Sequence, residues 1–290
     1  MKTLKSYIMV AFAAALLIAC DDNNESIESE GTHVSAVLKL QHSLGLGDEF
    51  VLTDSNDEDK TLELSKFKYI VSDIVITNTD DEAIALDNND AAQLIDLENA
   101  DATNQVFAYL TGIPEGSYKS ISFGIGVSQE VADGSTEDQI KLMELAESDM
   151  QWTWNPNSYI FSKIEASDIN SVETVSNNLQ IHVGNKGDFD GYRTVNLTFP
   201  ETLTLSSSVS PSVHFTVAIE ELFNPEAPGI SVAYDAIGAH GDSSDISVNF
   251  ADNYANIFEI HHIHPTEEAI NLEDVEEENH SDDDSSEHSH

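Results

Sequence analysis
The chain has a single cysteine, Cys20, among 290 residues, so no disulfide can form within it. Positive charge is equally scarce: 11 Lys+Arg stand against 54 Asp+Glu, a formal net charge of -43. Binding a phosphate backbone needs the opposite sign, so nucleic acid is excluded as a partner, and anionic membrane surfaces repel the chain as well. Acidity of this degree keeps a protein soluble by self-repulsion and also concentrates cations near its surface. Composition alone does not separate these two uses. Common catalytic signatures are missing too: there is no G-x-S-x-G elbow, no H-E-x-x-H and no glycine-rich phosphate loop. Paired carboxylates are so abundant that a glycosidase-like pair would arise by chance. The expectation is a protein that is not an enzyme.

Long apolar runs are confined to the leader. In "MKTLKSYIMVAFAAALLIAC", Lys2 and Lys5 precede the apolar stretch from Ile8 to Ala19, which is too short to span a bilayer. Residues 1–19 read as a secretory signal peptide. Leu17-Ile18-Ala19-Cys20 resembles the bacterial lipobox, whose cysteine becomes the lipidated first residue of the mature chain. With Cys20 lipidated, neither a thiolate metal site nor a cysteine nucleophile remains, and an anchor of several acyl chains tethers firmly to the membrane. The following "DDNNESIESEGT" is polar and acidic without apolar periodicity, so residues 20–32 read as a disordered tether. Acidic residues directly after the cysteine are similar to the export signal of Bacteroidetes surface lipoproteins. An outer-membrane lipoprotein exposed at the cell surface is expected, with a periplasm-facing one as the alternative. Residues 265–290 form an acidic tail carrying His280, His288 and His290, disordered and at most a weak, exchangeable metal collector.

Residues 33–264 remain for one folded domain. In "SYKSISFGIGVS", Ile121, Phe123, Ile125 and Val127 alternate with small or polar residues, the mark of a half-buried strand. The same alternation recurs at Val34, Ala36, Leu38 and Leu40, at Leu179, Ile181 and Val183, at Val195, Leu197 and Phe199, and at Val213, Phe215, Val217 and Ile219. Many short amphipathic strands predict an all-β fold, an antiparallel β-sandwich with one or two short helices. In "TLELSKFKYIVSDIVITN" the apolar parity changes between Leu64 and Phe67 and again between Val71 and Ile74, which predicts bulges or a break. Helices are expected in "STEDQIKLMELAES" and "NFADNYANIFEIHH".

Tryptophan is scarce as well. Trp152 and Trp154 are the only two, both in "MQWTWNPNSYIFSKIE", and an extended backbone turns Met150, Trp152 and Trp154 to one face. That makes either a core anchor or a site.

Taken in order, "LKLQHSLG", "LELSKFKYIVSDIVI", "GIPEGSYKSISFGIGV", "MQWTWNPNSYIFSKIE", "LQIHVG", "VNLTFP" and "IEELFNP" resemble the MbnP-like copper-binding domain family over residues 33–264. The resemblance implies a lipid-anchored extracytoplasmic β-sandwich that captures or transfers copper through histidines. It also implies a dihaem peroxidase or an outer-membrane transporter as partner, and in some members a tryptophan oxidised to kynurenine. His42 and His182 match the family histidines best, with His33 as a further candidate; imidazole suits copper, and the thioether of Met150 would suit Cu(I). Oxidation would fall on Trp152 or Trp154, although no tryptophan follows His42 in "HSLGLGDEF". Parity puts His42 on the face of Leu38 and Leu40, and His182 opposite Leu179, Ile181 and Val183, so a shared site requires a strand end or a sheet edge. A weaker metal cluster is His261, His262 and His264: His262 and His264 share a face if extended, His261 and His264 if helical. His214 reads as a surface residue. The alternative function is a surface interaction or adhesion lipoprotein with no essential metal.

Overall fold
The computed structural model describes residues 37–44, 51–54, 57–101, 103–147, 149–152, 155–168, 179–185, 188–223, 238–240, 245–265, 267 and 270. The expected signal peptide and tether, with Cys20 and His33, lie outside the described residues, as do Trp154 and the histidines of the tail. The strands are β1 (Leu38–Leu44), β2 (Val51–Asp54), β3 (Asp57–Asn78), β4 (Ala83–Ala85), β5 (Gln93–Asp96), β6 (Gln105–Leu110) and β7 (Gly116–Ile125). They continue as β8 (Gln151–Trp152), β9 (Asn155–Asp168), β10 (Leu179–Gly184), β11 (Arg193–Leu205), β12 (Ser212–Val217), β13 (Gly238–His240) and β14 (Phe258–His264). Four short helices intervene among the described residues: α1 (Asn88–Ala91), α2 (Gln129–Ala132), α3 (Ile140–Ala146) and α4 (Asp245–Tyr254). None is long and apolar enough to cross a membrane.

Two sheets pack face to face. The smaller runs β14-β12-β1-β6, and the spine of the larger runs β11-β7-β3-β9-β10-β13. Pairing is antiparallel except where β12 joins β1 and β13 joins β10. Between the sheets lies the main core, built from the alternating residues of each strand: Leu38 and Leu40 from β1, Phe67 and Tyr69 from β3, Ile121 and Phe123 from β7, Ile181 and Val183 from β10, and Val213 and Phe215 from β12. The all-β sandwich expected from the alternation is therefore present. A second apolar cluster covers the outer face of the large sheet, where Ile70, Val127, Tyr159 and Phe161 pack under Leu142 and Ala146 of α3 with Met150 and Trp152.

The two parity changes in the third strand segment are bulges in one continuous β3. Register skips between Leu64 and Lys66 against β9, and between Ser72 and Val75 against β7. At the second bulge Asp73 takes a positive φ of 49°, which short polar side chains tolerate. Its carboxylate accepts from Asn88 Nδ2 at 2.8 Å and from the Tyr192 hydroxyl at 2.9 Å, while Asn88 Oδ1 accepts from the Asp73 amide at 2.7 Å. An Asp73→Ala substitution should cost about 2–4 kcal/mol in urea denaturation, because two partly buried donors lose their partner and alanine resists this backbone conformation. Asp73→Asn, which keeps acceptor and conformation, should recover at least half of that loss.

The segment "NFADNYANIFEIHH" is half helix and half strand. α4 stops at Tyr254, a turn closes with the Asn256 amide donating to the Asn253 carbonyl at 2.8 Å, and Phe258–His264 then pairs with β12 as an edge strand. The apolar residues of that stretch satisfy helical and strand spacing alike, and pairing with β12 decides between them.

Candidate metal centre
His42 lies on β1 in the middle of the sandwich. Its neighbours on the inward face are Leu40 and Leu44, and its ring meets Phe215 of β12 at 5.1 Å and Tyr69 of β3 at 6.0 Å. The Tyr69 hydroxyl hydrogen-bonds Nδ1 at 2.9 Å, and Nε2 is buried with no partner among the described residues. Burial holds the imidazole down to about 3, so it is neutral at physiological pH. Phe67 and Phe258 pack against Tyr69, and Phe123 against Phe215 and Phe258, so the pair sits among aromatic rings.

His182 occupies the other side of the large sheet. Ile181 and Val183 point into the main core, so His182 projects outward, where its Nε2 sits 2.9 Å from Glu165 Oε1 and its ring lies 6.4 Å from that of Trp152. Backbone register sets it opposite Lys163 of β9 on one side and His240 of β13 on the other. The same outer face carries Lys66 and Lys163, both bonded to Asp149. Burial opposes ionisation of Asp149, yet hydrogen bonds and charge from the two lysines outweigh it and hold that carboxyl at about 2. Met150 and Trp152 are buried in the outer apolar cluster. His42 and His182 thus face opposite sides of the large sheet, and Met150 shares only the side of His182.

A third locus brings imidazoles together. His214 of β12 pairs in register with His262 of β14, and Ser212 pairs with His264. One donor atom from each of His214, His262 and His264 lies within 4.8 Å of the others, the one such triad among the described residues. Ring centroids of His214 are 4.1 Å from His262 and 4.8 Å from His264. A bulge makes this possible. Phe258 and Ile260 oppose Val217 and Phe215 and face the core; His261 is then taken up as an extra residue, so His262 turns outward while Ile263 is buried against Val213. Without it, strict alternation from Ile260 would send His262 and His264 inward. Burial, then the charges of His262 and His264, hold His214 at about 4; burial and its two flanking histidines also lower His262. His214 and His262 are thus both biased towards the neutral form, in which an imidazole nitrogen can bind a metal.

Sequence reading joined His262 to His264 if extended or His261 to His264 if helical, and left His214 as a surface residue. Only the register between strands 40 residues apart shows that it completes the set, and the alternation of "SVHFTVAI", which turns His214 outward, was the available hint.

The geometry is that of an all-β sandwich carrying imidazoles at three separate places. Residues 34–240 match the MbnP family, so the chain belongs to it. Among solved structures, MbnP from Methylosinus trichosporium is similar at 14% identity and a TM-score of 0.38, covering 79% of this chain and 97% of that one. No curated protein matches the chain. The family match ends before α4 and β14, so His262 and His264 lie beyond it.

Proposed function
We propose that this protein is a lipid-anchored, extracytoplasmic copper-binding protein of the outer membrane, exposed at the cell surface, and that it binds its metal at His214, His262 and His264. The observation that carries this reading is the convergence of three imidazoles within 4.8 Å on one sheet edge. Imidazole is a good ligand for copper, and a net charge of -43 enriches cations around the domain. The leader and Cys20 support export and anchoring, and the family resemblance supports copper as the cargo. The protein holds and hands on metal without catalysing a reaction, and its partner is another envelope protein that delivers or receives the ion.

The test uses the full chain with His280, His288 and His290 changed to Asn, which removes the tail as a competing binder. Copper should bind at one equivalent, and His214→Ala/His262→Ala/His264→Ala should weaken it at least about 100-fold. A His42→Gln/His182→Gln variant should bind as the parent does. Unchanged affinity in the triple variant would overturn the site. Equal thermal stability with and without metal, together with metal-independent partner capture, would favour an interaction lipoprotein instead.

A further inference from the structure
Each imidazole of the triad faces a neighbour that is not a ligand at one of its two nitrogens, within hydrogen-bond distance at His214 and His262 and at ion-pair distance at His264. Ser212 Oγ lies 3.2 Å from His214 Nε2. His261 Nδ1 meets His262 Nδ1 at 2.5 Å. Glu267 Oε1 approaches His264 Nδ1 at 4.0 Å. A histidine that binds metal through one nitrogen is usually oriented by a hydrogen bond at the other, which fixes both tautomer and ring direction. The three outer groups come from three different places in the chain: the start of β12, the bulge of β14, and the residues just after β14. Each leaves one particular nitrogen open.

Resting on the metal-site reading above, we infer that a divalent ion is held by His214 Nδ1, His262 Nε2 and His264 Nε2, with Ser212, His261 and Glu267 as positioning residues. The donor set is purely nitrogen. The groups beside it are the His261 imidazole, the Ser212 hydroxyl and the Glu267 carboxylate, whereas the thioether of Met150 is buried in the cluster outside the large sheet. That chemistry suits Cu(II) and Zn(II) over Cu(I). Ligand bonds of roughly 2.0–2.1 Å require the nitrogens to draw to about 3.3 Å of one another. Side-chain rotation of a partly exposed triad supplies the remaining closure from 4.8 Å. Three protein ligands leave a fourth position for water or for a group presented by the protein that delivers or receives the ion.

His261 is the most informative of the three. Its backbone is the extra residue that the bulge of β14 absorbs, and its ring engages Nδ1 of His262.

The experiment is carried out on the full chain bearing the three tail substitutions, with Zn(II) as the diamagnetic probe. Two-bond proton–nitrogen correlations of 15N-histidine should show metal-induced shifts at one Nδ1, lost in His214→Ala, and at two Nε2, lost in His262→Ala and His264→Ala. Ser212→Ala and His261→Ala should each weaken Zn(II) and Cu(II) about 10-fold at unchanged stoichiometry, with metal-free thermal stability unaltered, and Ser212→Thr should restore affinity. Cu(I), offered under anaerobic competition, should bind more weakly than Cu(II). Shifts at His214 Nε2 or His262 Nδ1, or affinities indifferent to Ser212 and His261, would overturn the assignment while leaving a metal site in place. Metal binding that survives loss of all three histidines would instead remove the site itself.

Discussion
Gly126→Ala should destabilise the protein by about 3–5 kcal/mol, a large share of the roughly 5–15 kcal/mol typical of a folded domain. Two costs add. The residue has a φ of +100°, in a region that side-chain-bearing residues adopt only with strain of about 1–3 kcal/mol. A Cβ there would also stand 2.2 Å from Cγ of Phe161, a buried member of the outer apolar cluster, which is overpacking worth about another 1–3 kcal/mol. The backbone cannot drift to relieve either, because the Gly126 amide donates to the Ile70 carbonyl at 2.9 Å and its carbonyl accepts from Ser72 Oγ at 2.6 Å. Urea denaturation of wild type and variant measures the difference. A loss under about 1 kcal/mol would mean that Phe161 yields freely and that the close approach is not a constraint. Gly124→Ala should also destabilise, since its Cβ would meet the Tyr192 hydroxyl at 2.2 Å while that hydroxyl is held by Asp73.

Lowering the pH should remove a comparable amount of stability through one side chain. His42 takes up a proton near its ordinary value of 6.5 in the unfolded chain but only near 3 in the folded core. Its contribution is therefore fully present above pH 6.5 and is lost progressively as pH falls towards 3, reaching about 4–5 kcal/mol. Other groups titrate over the same range, and protonating carboxylates relieves self-repulsion in so acidic a chain, so the comparison must be with a variant. Between pH 7 and pH 4.5, wild type should lose about 2–3 kcal/mol more than His42→Leu. Leaving the Tyr69 hydroxyl unpaired lowers the stability of His42→Leu at both pH values alike, so that term cancels. Parallel pH curves would show that His42 is protonated in the folded state, and hence that water reaches it.

These positions also show what was legible in the sequence. Period-two alternation located the principal strands and the inward faces of β1, β7, β10 and β12, because a sheet with one buried side imposes that pattern directly. The bulges in β3 were visible as parity changes at Leu64–Phe67 and Val71–Ile74. Parallel pairing of β1 with β12 and of β10 with β13 was not, since no local signal records which distant strand lies alongside. The same limit governed the candidate metal centre. His42 and His182 were set on opposite parities, yet their separation by a whole sheet needed the register. His262 and His264 were set on one face only if extended, with His261 and His264 as the helical alternative, and β14 is the extended case; His214, 48 residues before His262, became their partner only through β12–β14 pairing. Met150 and Trp152 stood between core and site in the sequence. Both are buried in the outer cluster, with the Trp152 ring within 6.4 Å of His182.

Deleting His261 would leave Phe258-Glu259-Ile260-His262-Ile263-His264, an unbroken alternation in which both remaining histidines still face outward and every apolar residue still faces inward. The bulge is thus the footprint of a single codon whose gain or loss leaves the hydrophobic side of β14 unchanged. The imidazole arrangement at this edge is therefore heritable separately from the fold: descendants of this chain can add or drop a histidine there one residue at a time, without renegotiating the sandwich beneath.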